Sequence, residues 1–251
     1  MNFLVSAGST QAPIDKARSV TTSLPIKIGS LLAQTAAARG HKVTLLSSDP
    51  DRAGEGGEGI TVVSYRTFDD IATQLQQLVK GGEFDTLFLA AAVGDYISAG
   101  VYTAETGTTF NARTRQWESR VPAPTMLDHK PGLSDVTEPE VWVRMVRSPK
   151  LVDRVRSQWN YKGLLVKFKT ASGIGDQELV EAAEKSRLKS SADMIVVNTW
   201  EAAHLWAYFG PVDGRYDRVT RRELAERVVL SVEHVARQAR SSAEFRLPSA
   251  E

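Results

Sequence analysis

Short apolar runs and amphipathic stretches alternate along this chain, separated by glycine-bearing or polar breaks. Phe3-Leu4-Val5 is a short apolar run that stops at Ala7-Gly8. Lys27 to Arg39 carries Ile28, Leu31, Leu32 and Ala36 at helical spacing and ends at Gly40, where a helix C-terminus favours glycine. Val43 to Leu46 and Ile60 to Tyr65 read as strands two and three, with the glycine-rich Ala53 to Gly59 as the loop between them. Phe68 to Val79 predicts a helix with Ile71, Leu75 and Leu78 on one face. Thr86 to Ala92 is almost unbroken in its apolarity, the mark of a central parallel strand covered on both faces. Strand–helix–strand repetition of this kind implies a parallel, doubly wound sheet.

Ile97 to Pro139 breaks the rhythm. It is rich in Thr, Gly, Pro and charge, and its short alternating pieces, Gln116 to Val121 among them, predict an irregular insertion with a β-hairpin, a flap or a dimer contact. The α/β alternation is then expected to resume. Val141 to Val146, Leu164 to Phe168 and Met194 to Asn198 read as strands, and Pro149 to Trp159 and Gln177 to Ser190 as helices. Trp200 to Val219 suggests a hairpin and Arg221 to Arg240 a closing helix. The reading is one domain over residues 1–251, with 97–139 inserted. Its fold class is α/β, a three-layer Rossmann-like fold with a mainly parallel sheet and an inserted β-hairpin or flap.

Composition narrows the function. The 251 residues hold 31 Lys plus Arg against 30 Asp plus Glu, so no general pull toward nucleic acid or acidic lipid exists and any polyanion site must be local. The absence of cysteine removes disulfides, thiolate nucleophiles and Cys-ligated zinc, and it suits a reducing cytosol. No signal peptide and no membrane-spanning run is expected, and the expected location is the cytoplasm. His41, His129, His204 and His234 are scattered without metal-ligand spacing, and no residue is assigned to a metal.

In open parallel sheets ligands sit beyond the carboxyl ends of the strands. Four polar or glycine-bearing segments fall there: Ala7 to Thr10, Ala92 to Tyr96, Lys167 to Thr170 and Asn198-Thr199. Gly8 would let a phosphate or sugar approach the backbone, or is a plain turn glycine. The loop lacks the Gly-x-Gly-x-x-Gly of dinucleotide-binding folds, which argues against a nicotinamide-dependent reductase. Lys185 and Lys189, four apart on a helix, would project two ammonium groups from one face, either onto a triphosphate or simply into water. Asp95 would orient a hydroxyl, ribose or metal, or cap a turn. Phe168 would stack on a base or pack in the core. Trp142, Trp159, Trp200 and Trp206 read as core or interface residues.

Taken in order, these segments resemble the phosphopantothenate–cysteine ligase family, the module fused in many bacteria to a flavin-dependent decarboxylase. Ser6 to Asp15 is similar to the family's opening Gly-x-Thr loop with its Ile-Asp ending, and Ala36 to Leu45 to its first helix end and second strand. Ala90-Ala91-Ala92-Val93-Gly94-Asp95-Tyr96 resembles its Ala-Ala-Ala-Val-x-Asp-Tyr segment, the most specific of the matches. Met145 to Val152 resembles the strand-to-helix turn at the nucleotide. Lys185 to Lys189 followed by Asp193 to Asn198 resembles the Lys-x-x-x-Lys helix and the Asn-ended strand after it.

The resemblance implies a ligase that uses CTP or ATP with Mg2+ to activate 4′-phosphopantothenate as an acyl-nucleotide, which cysteine then attacks. It assigns nucleotide binding to Gly8, Asp95, Pro149, Lys150, Leu151, Val152, Phe168, Lys185, Lys189 and Asn198. It assigns substrate binding to Arg18, Ala91 and Ala92, and a homodimer in which the insertion closes over the neighbouring site. The family's catalytic Asn, in the loop before its first helix, falls at Thr22, where one hydroxyl replaces an amide; the following turn is Leu24-Pro25-Ile26, apolar and without the family's glycine. Lys130 matches the flap lysine. A divergent, catalytically impaired dimeric homologue that still binds nucleotide is therefore the alternative to a ligase with full turnover.

Overall fold

The computed structural model describes residues 1–22, 28–50, 58–120, 125–128 and 140–244. These form two compact units, one of residues 1–10, 23–93 and 150–251 and one of residues 11–22 and 94–149.

The larger unit is built on an eight-stranded sheet. Its strands are β1 (Asn2–Ala7), β4 (Lys42–Ser47), β5 (Ile60–Ser64), β6 (Thr86–Leu89), β12 (Leu164–Ala171), β13 (Met194–Thr199), β14 (Trp206–Val212) and β15 (Arg215–Thr220). Six of them run parallel in the order β5-β4-β1-β6-β12-β13, and β14 and β15 add an antiparallel edge. In sequence terms the parallel part reads 3-2-1-4-5-6, so the strand order reverses between β1 and β6, the place where such sheets open a crevice for ligands.

Helices cover both faces. Phe3 and Val5 of β1, Phe88 of β6, Val166 of β12 and Val196 of β13 meet Leu32 and Ala36 of α1 (Ile28–Ala38) and Val228 and Val232 of α5 (Leu224–Glu244). Ile195 and Val197, pointing the other way from Val196, meet Leu179 and Ala183 of α4 (Asp176–Lys189). Burial on both faces explains why β1, β6 and β13 show no apolar–polar alternation. α2 (Phe68–Gly81) starts with a capping box, Thr67 Oγ1 accepting from Asp70 N at 3.2 Å and Asp70 Oδ2 from Thr67 N at 2.8 Å. It buries Phe68, Ile71, Leu75 and Val79. Leu31, expected on the buried face of α1, is 43% exposed; the core stripe is Ile28, Leu32 and Ala36 with Gly29 and Ala33. Outside the core, Glu233 of α5 joins Arg39 through two bonds of 2.7 and 2.8 Å and His41 at 2.8 Å.

The smaller unit is all β. β2 (Gln11–Pro13) pairs antiparallel with β3 (Ser19–Thr21), for which the sequence reading expected no strand. A three-stranded sheet places β7 (Tyr96–Ala104) between β10 (Met126–Asp128) and β11 (Trp142–Arg147). The expected hairpin is β8 (Thr108–Asn111) with β9 (Gln116–Ser119). β11 corrects the sequence reading. The stretch expected to rejoin the parallel sheet pairs antiparallel with β7 instead. Its Arg144 and Arg147 are exposed, and a strand covered on both faces has no room for two such charges. The helix that follows, α3 (Leu151–Ser157), is shorter than the Pro149 to Trp159 expected.

Candidate active site at the sheet's carboxyl rim

Ser6 at the end of β1 begins the site. Its hydroxyl donates to Phe88 O (3.3 Å) and accepts from Ala91 N (3.2 Å), tying the carboxyl ends of β1 and β6 together where the strand order reverses. Ala92 N donates to Gly8 O at 2.8 Å, Thr10 N donates to Ala92 O at 3.2 Å, and Ser9 and Ala92 form a parallel bridge. Gly8, Ala91 and Ala92, predicted from separate segments, are thus one hydrogen-bonded rim.

Gly8 has φ +85°, and a Cβ there would fall on Ser48 Oγ. That hydroxyl accepts from Ser9 N at 3.0 Å. The glycine is required by its neighbour in the next strand's loop, so the turn has a packing reason for glycine in addition to any ligand. Tyr65 closes the same corner, donating to Ala7 O at 2.7 Å, and burial pushes its phenol pKa up. A second glycine works on the helix side. A Cβ on Gly29 would lie 2.6 Å from Ala7 Cβ and 2.8 Å from Ser6 O, so Gly29 lets α1 press directly on the end of β1.

The other predicted residues of this unit distribute over the two faces of the sheet. Phe168 is half-buried and packs with the core on the α1 and α5 side. Asn198 is buried at the end of β13, where its Oδ1 accepts from Thr170 Oγ1 at 3.0 Å. Lys150 stands at the N-cap of α3, Leu151 is buried in its first turn and Val152 is half-buried. Lys185 and Lys189 share a face of α4 as their spacing predicts, and that face is exposed. The positions of α4 that turn toward the sheet are Leu179, Ala183, half-buried Ser186 and, just beyond the helix, buried Ser190.

Between those serines and β12 lies a residue that the sequence reading named within the Lys167 to Thr170 segment without giving it a role. Lys167 is 8% exposed, and its Nζ donates to Ser186 O, Ser186 Oγ and Ser190 Oγ, each at 3.0 Å. Burial, with the like charges of Lys169, Lys150 and Lys189 against the single carboxylate of Asp153, lowers its pKa to about 8. A lysine directly after the apolar Leu164-Leu165-Val166 run and before Phe168 was the available signal.

In the smaller unit, Asp95 and Pro149 come close along β7 and β11. Ser148 N donates to Asp95 O at 2.9 Å and Ser148 Oγ to Gly94 O at 2.6 Å. Arg18 is engaged by Asp15, with Nε donating to Oδ2 at 2.7 Å and its backbone N to Oδ1 at 2.7 Å; the guanidinium holds that carboxyl below the usual range. Thr22 follows β3 half-exposed, whereas Leu24 to Ile26 and Lys130 lie outside the described residues. Of the tryptophans, Trp142 stacks with Phe110 and Trp117 in this unit, and Trp159 is buried in the larger one. Trp200 is exposed, and Trp206 carries the Arg218 guanidinium 4.3 Å from its ring centre.

Two open depressions of ≈ 500 and ≈ 300 Å³ lie at the opposite, amino-terminal rim, lined by residues such as Asn2, Lys42, Glu83 and Tyr161. Neither includes a predicted site residue. Among the described residues no three His, Asp or Glu converge as a metal site, and no helix is long and apolar enough to cross a membrane.

Residues 1–107 match the DNA/pantothenate metabolism flavoprotein C-terminal domain. The coenzyme A biosynthesis bifunctional protein CoaBC of Thermococcus kodakarensis is 28% identical over 236 residues, which is 90% of this chain and 49% of the relative. CoaBC of Escherichia coli is 23% identical over 202 residues, 79% of this chain and 41% of the relative. The chain thus spans about half the length of the curated relatives it matches. In fold it is similar to the DNA/pantothenate metabolism flavoprotein from Streptococcus pneumoniae, with TM-score 0.72 and 22% identity over 94% of this chain and 99% of that one. It is also similar to a Cab2 mutant in complex with phosphopantothenate-cysteine, with TM-score 0.66 and 14% identity over 97% of this chain and 88% of that one. At these identities the solved structures establish the fold, and the sequence matches establish similarity to CoaBC proteins. Residues 1–107 thus carry the match to the DNA/pantothenate metabolism flavoprotein C-terminal domain, and the chain is similar in sequence to CoaBC proteins and in fold to the solved structures, in the direction its motifs point.

Proposed function

We propose that this protein joins 4′-phosphopantothenate to cysteine through an acyl-nucleotide intermediate, as a ligase of coenzyme A biosynthesis acting in the cytoplasm. The observation that carries the reading is the hydrogen-bonded rim of Gly8, Ala91 and Ala92 at the strand-order reversal, formed by the opening loop and by the Ala90 to Tyr96 segment, the most specific of the matches. The names of the relatives support the same chemistry.

In this reaction a carboxylate oxygen of 4′-phosphopantothenate attacks the α-phosphorus of CTP or ATP and pyrophosphate departs. The cysteine amine then attacks the acyl carbon, the nucleoside monophosphate leaves, and the amine proton is lost to solvent. No enzyme nucleophile is needed; positioning and charge stabilisation suffice. Magnesium would arrive on the triphosphate oxygens as part of that substrate. On this reading Ala91, Ala92 and Arg18 bind the substrate, and Gly8 lets the nucleotide approach the backbone. Asp95, Phe168, Asn198 and the turn from Pro149 through Lys150 and Leu151 to Val152 hold the nucleotide. Lys185 and Lys189 attract its phosphates, and Thr22 and Lys130 serve the acyl-transfer step. The 97–139 insertion would mediate a homodimer, for which exposed Trp117 and Leu127 provide apolar surface.

The test is incubation with CTP or ATP, magnesium, 4′-phosphopantothenate and cysteine. Pyrophosphate release with amide product is the expected result. Nucleotide binding without pyrophosphate would identify an impaired homologue and refute turnover. Lys185→Ala and Lys189→Ala are expected to weaken triphosphate binding, and unchanged affinity in both would remove these two residues from the site.

A further inference from the structure

We infer that Lys167 and Ser186 form a phosphate-binding pair, in which a buried ammonium group backs a serine hydroxyl that donates to the polyphosphate of a nucleoside triphosphate. The inference rests on the ligase reading for the identity of the ligand, and on the geometry of β12 and α4 for the site.

The ammonium group of Lys167 spends its three protons on Ser186 O, Ser186 Oγ and Ser190 Oγ, all at 3.0 Å. Ser190 turns its own proton inward, to Ser186 O or Arg187 O at 3.2 Å. Ser186 differs. Its oxygen accepts from Lys167, it is half-buried, and among the described residues nothing takes its proton. A hydroxyl that accepts from a cation is polarised to donate more strongly, and an anionic oxygen is its best acceptor. Lys167 is thereby a positioning residue and Ser186 the group that touches the ligand.

Charge points the same way. A buried ammonium normally has a carboxylate partner. Lys167 has neutral oxygens at hydrogen-bond distance. The charged groups acting on it are Lys169 of its own strand, Lys150 and Asp153 of α3, and Lys189 of α4, three cations against one anion. Such an excess around a desolvated cation is uncomfortable in the free protein and favourable once a polyanion arrives. Lys189, assigned to phosphate through the family resemblance, is one of these cations. The sheet-facing Ser186 and Ser190 give the cluster its inner wall.

The experiment is calorimetric titration of the full chain with magnesium–CTP and with inorganic tripolyphosphate, from pH 7 to 9.5. Lys167→Met and Ser186→Ala are each expected to weaken both ligands about tenfold or more, as for loss of a hydrogen bond to a charged group. In the wild type, affinity should fall as pH rises through about 8, the value to which Lys167 is lowered. Lys167→Arg should restore binding and remove that fall, because a guanidinium keeps its proton. Ser186→Ala preserves the test where Lys167→Met fails to fold. Wild-type affinity in both Lys167→Met and Ser186→Ala, in a protein that binds CTP and releases pyrophosphate, overturns this inference and leaves the ligase reading intact. A wild type that binds neither ligand overturns both.

Discussion

Replacing Gly29 by alanine separates helix propensity from packing, because the two predict opposite signs. Gly29 lies in the first turn of α1, and in a free helix Gly→Ala would stabilise by up to about 1 kcal/mol. In the folded protein the new methyl group would lie 2.6 Å from Ala7 Cβ, 2.8 Å from Ser6 O and 2.9 Å from Ala7 Cα. Two of the three atoms are backbone, so no rotamer change relieves the contact. To reach an ordinary separation of about 3.5 Å or more, α1 must retreat from β1 by about 1 Å. Leu32, Ala33 and Ala36, all fully buried, would be drawn out of their contacts with it. Overpacking of this kind costs about 1–3 kcal/mol, so the net effect is a loss of about 1–2 kcal/mol. That corresponds to a fall in Tm of about 2–8 °C for a protein of this size. Urea and thermal unfolding followed by circular dichroism measure it. Gly81→Ala is the control, since a Cβ there meets nothing within 4 Å at the end of α2, and that variant should be neutral to slightly stabilised. If Gly29→Ala is as stable as the wild type or more so, the close approach of α1 to β1 is wrong, and with it the account of how the Ser6–Gly8 rim is held.

Three further outcomes follow from the contacts. Asp193 Oδ2 accepts from Leu165 N at 2.7 Å and from Arg156 at 2.5 Å, so Asp193→Ala should destabilise by about 1–3 kcal/mol in urea titrations; an unchanged midpoint would show those donors satisfied elsewhere. Glu233 is lowered to about 2 chiefly by its bonds to Arg39, below its ordinary 4.5, so its contribution is complete above pH 4.5 and is lost as pH falls toward 2. The stability gap between wild type and Glu233→Gln should therefore close between pH 5 and pH 2.5, and a constant gap would contradict the ion pair. Thr22→Asn should raise pyrophosphate release, since an amide supplies two donors where the hydroxyl supplies one; a flat rate would place the departure from the family pattern in the whole 22–26 loop.

Local pattern was sufficient wherever burial dictated the residues. The apolar runs of β1, β6 and β13 and the 3.6-residue stripes of α1 and α2 were legible because a parallel sheet covered on both faces leaves polar residues no place. The same reasoning failed at β11, where Val141 to Val146 was expected to resume the parallel α/β pattern although its exposed Arg144 fits an antiparallel strand with an open side. Turns were opaque for another reason. The sequence showed a glycine at position 8, but that Ser48 fills the space beside it is a fact about the next strand's loop.

The sequence by itself thus determined the family resemblance, the alternating α/β class and the convergence of Gly8 with Ala91 and Ala92, because these follow from segment order and from the rule that parallel strands present their carboxyl ends to one rim. Only the tertiary structure decided which cations are buried and which are solvated. Lys185 and Lys189 were conspicuous by spacing, and spacing along a helix does not say which face turns to the sheet. Lys167 was inconspicuous, and its environment is made by Ser186 and Ser190, about twenty residues away, which the packing of α4 on β12 brings to 3.0 Å.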